Sequence, residues 1–420
     1  MLKFLIPINL FFITLFGYFI NYKSENHEIT LCNTISGNES NFVLDDNIAN
    51  SPIELDPNKN YTMPTLSKNT KGEILLTWTE KDAQGVASLC FATSTDGKNF
   101  SEKKTVFSGS GLNNSRMMRA KILSKKDGSY VAIFSLRAET VPSQGGRGGR
   151  SSNIVYTVSK DGGNTWTTPA NVDSDPKQGI VRGFFDAVVL PNDEVAVAYL
   201  KDVANSTKHE ERDLRMVISK NGEMQPEKLI DPVVCDCCPI SLMVDTKGNL
   251  NVIYRDNNND IRDMARMVSA DNGVSFSKPE IVHDDKWEIK GCPHSGASSV
   301  SVKNEQFYTW FSGTQNGQSG VRLSDSSGKL LKVLDASAKN ASLAADDKMA
   351  VWVWEQTAES GANSVFYGKV INGKLFDSQI VKNSNNGQNA STLLHNGKVL
   401  VAYEILKADK KTVMNVAFVE

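Results

Sequence analysis

The sequence predicts an all-β protein, a β-propeller in which four-stranded blades close into a ring. Short apolar segments that end in an aromatic residue recur along the 420-residue chain. A polar turn motif recurs between them at a similar period, and each interval suits four strands and their turns better than a helical domain. The number of apolar segments favours seven blades, with six as the alternative.

The apolar segments each predict one strand of a blade. Successive terminal aromatic residues lie 43 to 65 residues apart. These residues are Trp78, Phe134, Tyr199, Tyr254, Phe311, Trp354 and Tyr403. Because the pattern continues almost to the C-terminus, it indicates a single repeated domain rather than two or three unrelated ones.

The polar turn motif lies between these segments at a constant phase. Its clear copies are Ser94–Phe100, Ser159–Trp166 and Ser269–Phe276, and weaker copies occupy residues 219–222 and 324–328. In each copy a short polar side chain can accept hydrogen bonds from the turn's own N–H groups, and a glycine supplies positive φ. The motif therefore predicts hairpin turns at a fixed point of each unit.

This turn motif resembles the Asp boxes, or BNR repeats, of the sialidase-like β-propellers. The resemblance covers roughly residues 45 to 420, and the regular interval between copies implies the propeller fold. It does not imply the sialidase reaction, because Asp boxes lie on turns remote from the sialidase pocket and occur in propellers of unrelated function.

The first predicted strand departs from the sialidase pattern. That family has an aromatic residue, Arg, Ile, Pro, any residue and Leu at this place, and its arginine binds the carboxylate of sialic acid. The present chain has the frame from Tyr61 to Leu66 but carries Thr62 instead of the arginine. A threonine hydroxyl cannot replace the bidentate pair that a guanidinium forms with a carboxylate. Exo-α-sialidase or other glycoside hydrolase activity is therefore the alternative function.

The resemblance still implies where a ligand would bind. Loops entering the first strand and leaving the second strand of each blade collect at one end of the ring around its central pore. The charged residues expected there as ligand contacts are Arg119, Arg182, Arg255 and Asp256. For a hydrolase, Asp186 would be the acid, and Tyr403 with Glu404 would imitate the tyrosine nucleophile and its carboxylate base.

Two short loops concentrate cysteine and histidine. They contain Cys235, Cys237, Cys238, Cys292 and His294. Because the loops lie one unit apart at the same phase of the repeat, a ring would make them neighbours. Thiolate and imidazole ligands suit copper(I) or zinc. The alternative is a disulfide, such as Cys235 or Cys237 with Cys292, in a propeller that acts only as an interaction scaffold.

The N-terminus and the net charge bear on location and partners. Residues 1–22 place Lys3 before an apolar run and predict an export signal or an uncleaved membrane anchor. A polar tether is predicted at 23–45 and the propeller at 46–420. The 46 basic and 48 acidic residues give a net charge of −2, which gives no reason to expect nucleic acid. The sequence thus predicts an exported protein, secreted, periplasmic or at the cell surface, that binds a metal ion, a glycan or both.

Overall fold

The structure is a computed structural model that describes residues 53–137, 152–175, 180–203, 211–376 and 378–419. All of them belong to the unit that begins at residue 45. The predicted leader and tether lie outside the described residues. No helix in the described part of the chain is long and apolar enough to span a membrane.

Seven antiparallel sheets form a ring of seven blades, as the count of apolar segments predicted. The strands of the first three blades are, in blade 1, β1 (Asn60–Lys68), β2 (Ile74–Lys81), β3 (Ala87–Ser94) and β4 (Lys104–Gly109); in blade 2, β5 (Leu112–Asn113), β6 (Lys121–Ser124), β7 (Tyr130–Arg137), β8 (Ser152–Ser159) and β9 (Ala170–Asn171); and in blade 3, β10 (Arg182–Val189), β11 (Val195–Asp202), β12 (Arg212–Lys220), β13 (Glu223–Met224) and β14 (Lys228–Val234).

The remaining four blades follow in chain order. Their strands are, in blade 4, β15 (Ser241–Val244), β16 (Leu250–Arg255), β17 (Met264–Ser269) and β18 (Glu280–Ile281); in blade 5, β19 (Ser298–Val302), β20 (Glu305–Ser312), β21 (Gly320–Asp325) and β22 (Leu330–Val333); in blade 6, β23 (Lys339–Ala345), β24 (Ala350–Thr357), β25 (Asn363–Ile371), β26 (Lys374–Leu375) and β27 (Gln379–Ile380); and in blade 7, β28 (Gly387–His395), β29 (Lys398–Leu406) and β30 (Thr412–Val419).

Each blade is a meander whose neighbouring strands pair in chain order. In blade 2 the short strands β5 and β6 both pair with β7, so the first strand of that blade is interrupted. In blades 3 and 6 two short outer strands pair with the same third strand. In the second strand of each blade, successive side chains point to opposite faces of the sheet. Both faces are apolar and buried, because each sheet packs between two others.

The hydrophobic core lies between consecutive blades. Trp78 is fully buried and belongs to a cluster that joins β1, β2 and β3 to β28, β29 and β30. Ile53 and Leu55, which precede β1, pack against the same cluster. Blade 7 therefore packs directly on blade 1, and this contact closes the ring.

The Asp boxes attach each blade to the one before it. A Cβ added to Gly163 in blade 2 would lie 2.3 Å from Phe91 in blade 1, and one added to Gly273 in blade 4 would lie 2.2 Å from Ile218 in blade 3. Both glycines have φ above +80°. The glycine thus serves two needs, a left-handed backbone and close packing on the preceding sheet.

The first strands are bulged where they line the pore. The registers of β1, β10, β23 and β28 shift at this point, and each bulge holds one residue with φ near +55°. The residues are Met63, Phe184, Asn340 and Asn389. A non-glycine residue with positive φ costs energy, and such residues concentrate at functional sites, as β-bulges concentrate at active sites and at the rims of barrels.

Candidate functional site

The first strands of the blades surround a central cavity of about 740 Å³. Every blade contributes to its wall. One lining residue from each blade in turn is Thr65, Arg119, Asp186, Ser241, Ser298, Ser342 and Ser391. A cavity of this size, open at the end of a ring of sheets, suits a sugar unit or a small organic ligand.

The sulfur loop, residues 235–239, follows β14 directly and leads into β15. Its three cysteines are 1–3% exposed, and the sulfur atoms of Cys235 and Cys238 lie 3.6 Å apart. The ligand atoms of Cys235, Cys237 and Cys238 all lie within 4.8 Å of one another. Ile240 N donates to Phe184 O at 3.2 Å, which anchors the end of the loop to the bulge in β10.

The histidine loop, residues 291–296, connects blade 4 to blade 5. Its Cys292 and His294 are exposed, and His294 lines the central cavity. The sulfur atoms of Cys237 and Cys292 and a ring nitrogen of His294 lie within 4.8 Å of one another. The structure thus brings the two loops together at the pore.

All five described cysteines are free thiols. Four of them belong to the two loops, and the fifth, Cys90, is fully buried in β3 as its apolar surroundings predicted. Burial raises the pKa of Cys90 to about 12. The disulfide considered as an alternative between the two loops is therefore not part of this structure.

Close backbone packing holds the two loops against each other. A Cβ added to Gly296 would lie 2.2 Å from Pro239 O, so only glycine allows this approach. Arg255 also holds the contact between the two loops in place. Its guanidinium donates to Ser295 O at 2.9 Å and to Phe311 O at 2.8 Å, and its own carbonyl accepts from Cys235 N at 3.1 Å.

The contact between the sulfur loop and the histidine loop, which we call the junction, is therefore rigid. His294 itself has φ +50°, a strained value for a histidine. Arg255 also lies over the ring of Trp287, with 4.8 Å between its guanidinium carbon and the ring centroid. Such stacking fixes the planar guanidinium that holds the backbone of the histidine loop.

Arg262 supplies positive charge to the buried sulfurs. It is 1% exposed, and its Nη1 lies 3.3 Å from the Cys235 sulfur and 3.2 Å from Asp236 Oδ1. Its Nε has no hydrogen-bond partner among the described residues. The Cys292 thiol lies 3.6 Å from Asp236 Oδ2, so Asp236 of the sulfur loop contacts the histidine loop.

The thiols differ in acidity for physical reasons. Hydrogen bonds from Cys237 and Cys238 lower the pKa of Cys235, and the guanidiniums of Arg255 and Arg262 act in the same direction against the cost of burial. Burial raises the pKa of Cys238 to about 12. The cluster thus favours one thiolate that two neighbouring thiols stabilise.

The wall of the central cavity carries an excess of positive charge. Lys121 pairs with Asp186 at 2.7 Å. Arg116, Arg119 and Lys339 also line the cavity, and in the described part of the chain none of them forms an ion pair. Burial lowers the pKa of Arg119, although nearby Glu404 and Glu355 oppose this.

Arg116 lines the cavity and connects three blades. It extends from blade 2 to side-chain oxygens of Asn340 at 2.8 Å in blade 6 and of Asn389 at 3.0 Å in blade 7. Arg119 donates to Asn389 O at 3.2 Å. Arg119 and Arg116 thus lie together in the wall of the cavity.

The residues expected to act as a nucleophile and its base are separated. Tyr403 and Glu404 are consecutive in β29, so their side chains point to opposite faces of the sheet. The Tyr403 side chain is fully buried between blades 6 and 7 and accepts a hydrogen bond from Asn415 at 2.9 Å. Glu404 accepts from Met63 N and, at 2.9 Å, from Asn389. The structure therefore does not bring these two side chains together.

Asp186 lies at the cavity but is committed to structure. Besides its pair with Lys121, its Oδ2 accepts from Leu242 N at 2.9 Å in the next blade. Ser298 and Ser391 accept at 3.0 Å from the backbone of the following blade in the same manner. Because its two oxygens are held by Lys121 and by Leu242 N, the Asp186 carboxylate is not free to contact a ligand as the expected acid.

Three further ligand candidates lie outside the cavity wall. Arg182 is 2% exposed and pairs with Asp173 at 2.5 Å, where Lys201 also binds. Arg255 is a positioning residue of the histidine loop, as described above. The Asp256 carboxylate accepts from Asn257 N and Asn258 Nδ2 at 2.7 Å, within its own turn. Backbone or ionic partners thus occupy these three side chains, and none of the three lines the cavity.

Sequence reasoning did not identify Arg262 and Asp236 as site residues. Arg262 pairs with Asp236, whereas its chain neighbour Asp263 accepts from Lys286 N and Trp287 N. One feature of the sequence could have indicated them, the aspartate inside the Cys-x-Cys-Cys run. A carboxylate among buried thiols needs a cation nearby, because an unpaired buried charge is costly.

Comparisons with known proteins agree with the fold. A family model described as the BNR repeat-like domain matches residues 138–374. No curated protein matches the sequence. Similar solved structures include a protein of unknown function from Dyadobacter fermentans, with 12% identity over 87% of this chain and 96% of that chain and a TM-score of 0.54.

Two similar structures have stated activities. An ulvan lyase of polysaccharide lyase family PL25 is 8% identical over 86% of this chain and 94% of its own, with a TM-score of 0.53. The Hadza microbial sialidase Hz136 is 11% identical over 85% of this chain and 65% of its own, with a TM-score of 0.48. At such identities the likeness concerns the fold alone.

Proposed function

The chain belongs to the BNR repeat-like family, and from the geometry of its two loops we propose that it is an exported propeller that binds a soft metal ion. One observation carries the proposal. Four thiols and one imidazole from two separate loops lie together in two sets, and the ligand atoms of each set are within 4.8 Å of one another.

The donor chemistry favours copper(I) or zinc. Thiolate and imidazole are soft or borderline ligands, and these two metals prefer them over carboxylate and carbonyl oxygen. Arg262 balances part of the negative charge that several thiolates would carry in a buried place. The rigid junction at Gly296 fixes the ligands before a metal arrives, which reduces the ordering cost of binding.

A bound metal also accounts for free thiols in an exported protein. In an oxidising compartment, neighbouring cysteines form disulfides unless a metal or a reductant protects them. Here the three sulfurs of the sulfur loop are close enough to react with one another, and they can serve as ligands only while they stay reduced. The disulfide-stapled scaffold is the competing function.

Metal analysis combined with site-resolved alkylation of the full chain, purified without oxygen, decides between these functions. Bound copper or zinc should protect the cysteines of both loops from alkylation, and a chelator should expose them. Cys90→Ser is the matched control, because this thiol is distant from the site and should not change the metal content. Quantitative disulfides with no metal would overturn the proposal.

A second function is supported by the charge of the central cavity. We propose that the cavity accepts an anionic sugar, because Arg116, Arg119 and Lys339 line its 740 Å³ and form no ion pair among the described residues. Positive side chains that line a cleft favour carboxylate or sulfate groups. Hydrolysis is not required for this role, and the placement of Tyr403 does not favour it.

Calorimetric titration with polygalacturonate and with neutral dextran tests the glycan function. Polygalacturonate should bind, more weakly as salt increases, and dextran should not. Arg119→Gln should weaken binding, whereas Lys71→Gln, at an exposed turn of blade 1, should not. Equal binding of both polymers would contradict an anionic site, and turnover of a fluorogenic sialoside would support the hydrolase alternative.

A further inference from the structure

The two sets of metal ligands share one residue and differ in exposure. The inner set consists of Cys235, Cys237 and Cys238, all buried, and the outer set consists of Cys237 with the exposed Cys292 and His294. Cys237 therefore belongs to both sets. Its sulfur is within 4.8 Å of each of the other ligand atoms in either set.

We propose that a soft cation enters at the outer set and passes to the inner set, with Cys237 as the ligand common to both positions. This inference rests on the proposed metal binding and adds a direction to it. The protein is then a two-position carrier that captures an ion at the pore and holds it away from solvent.

The exposure of the residues determines the direction. His294 lines the central cavity, and Cys292 is exposed, so an ion in solution reaches them first. The inner sulfurs are 1–3% exposed and have no comparable access. Direct loading of the inner set would require the loops to open, whereas transfer through Cys237 requires only exchange of the ligands around one retained sulfur.

The number of ligands in each set points to copper(I). Zinc in a structural site is almost always held by four ligands, whereas each set in the described residues offers three. Soft thiolates select copper(I). Three-ligand positions that share one sulfur allow stepwise exchange, because the ion never loses all of its ligands at once.

The transfer balances without a redox partner. The bonds from copper to Cys292 and His294 break, the bonds to Cys235 and Cys238 form, and the bond to Cys237 persists. Cys235 and Cys238 give up their protons as they become ligands, Cys292 takes up one proton as it is released, and the remainder goes to solvent, since metal binding requires the thiolate. The copper stays in the +1 state throughout.

Anaerobic stopped-flow loading of the full chain from the copper(I) complex of bicinchoninate tests the inference. The wild type should show a fast capture phase and should then retain copper against added bathocuproine disulfonate. The Cys292→Ser, His294→Ala double variant should lose the fast phase but reach the same final occupancy. Cys235→Ser should keep the fast phase and lose its copper to the competing chelator.

The outcomes separate this inference from the proposed function. If the wild type takes up no copper(I), the metal-binding function fails. If it takes up copper but the outer double variant loads at the wild-type rate, metal binding stands and the transfer route is wrong. Circular dichroism verifies that each variant is folded, and Cys90→Ser controls for the loss of a buried thiol. Should Cys235→Ser not fold, Cys238→Ser removes a different inner ligand and must show the same loss of retention.

Discussion

At the scale of single residues, Arg262 lies where the charge of the sulfur loop is balanced. Its guanidinium contacts both the Cys235 sulfur and the Asp236 carboxylate, in a place that is almost completely buried. A cation in this position stabilises thiolate over thiol, because the low-dielectric surroundings strengthen the attraction. The ligands of a metal site depend on such neighbours nearly as much as on each other.

We expect Arg262→Gln to lower the affinity for copper(I) by about 10- to 100-fold. The neutral amide keeps a donor near Cys235 but removes the charge that favours the thiolate. Competition with a chromophoric copper(I) chelator measures the change. Arg266→Gln is the matched control, because Arg266 follows on β17 and pairs with the exposed Glu280 instead. Equal affinities of the two variants would show that Arg262 has no role at the metal site.

Individual residues also limit what the sequence can predict. The meeting of the four thiols and the imidazole of the two loops was predicted from the residue types and the phase of the repeat. The roles of Arg182, Asp186 and Tyr403 were not, because the partners that occupy them are backbone groups or side chains from other strands. A charged residue near a loop looks the same in the sequence whether its side chain points into a pore or forms an ion pair within the protein.

At the scale of loops and turns, two glycines decide how closely neighbouring elements approach. Gly296 lies against Pro239 O and holds the histidine loop on the sulfur loop. Gly163 holds an Asp box on the preceding blade. The Asp boxes were predictable, since glycine and aspartate mark turns by known chemistry. The Gly296 contact was not, because the sequence does not show which backbone its missing side chain would meet.

Gly296→Ala should separate the two loops and lower copper(I) affinity by about 10- to 100-fold, as other changes that misplace metal ligands do. The new Cβ cannot coexist with Pro239 O at 2.2 Å, so the backbone must move. Gly291→Ala is the control in the same loop, because its Cβ would meet nothing within 4 Å. If both variants bind copper like the wild type, the junction does not position the ligands.

The Asp box of blade 2 offers a second comparison of adjacent glycines. Gly162→Ala and Gly163→Ala both place alanine at positive φ, but only Gly163→Ala also forces a Cβ to within 2.3 Å of Phe91. We expect Gly163→Ala to lower the free energy of unfolding by about 1–3 kcal/mol more than Gly162→Ala, as overpacking does. Denaturant unfolding measures both. Equal losses would mean that the box does not fasten one blade to the next.

At the scale of the whole molecule, the ring explains how distant parts of the chain form one site. Arg116 in blade 2 reaches Asn340 and Asn389 in blades 6 and 7, more than 220 residues later. The repeat predicted the number of blades, because each apolar segment with its aromatic residue marks one unit. The phase of the repeat also placed Arg119 at the pore, but it did not single out Lys339, which lies beside the bulge of β23.

Closure of the ring depends on hydrogen bonds between the last and the first blade. Ser391 Oγ accepts from Leu66 N at 3.0 Å, so Ser391→Ala leaves a buried N–H without its partner and should cost about 1–3 kcal/mol of stability. Ser342 occupies the equivalent place after the bulge of β23, and its Oγ has no partner among the described residues. Ser342→Ala should therefore cost less in thermal unfolding. The reverse order would contradict this account of closure.

The central claim is that loops from successive blade connections meet at the pore to form a thiolate and imidazole metal site. X-ray absorption at the copper edge, on full-length protein loaded with copper(I) without oxygen, tests it most directly. Three sulfur ligands around copper in the wild type, and fewer in Cys237→Ser, are the predicted result. A first shell of only nitrogen and oxygen, or no copper retained by a protein whose cysteines are reduced, would contradict the claim.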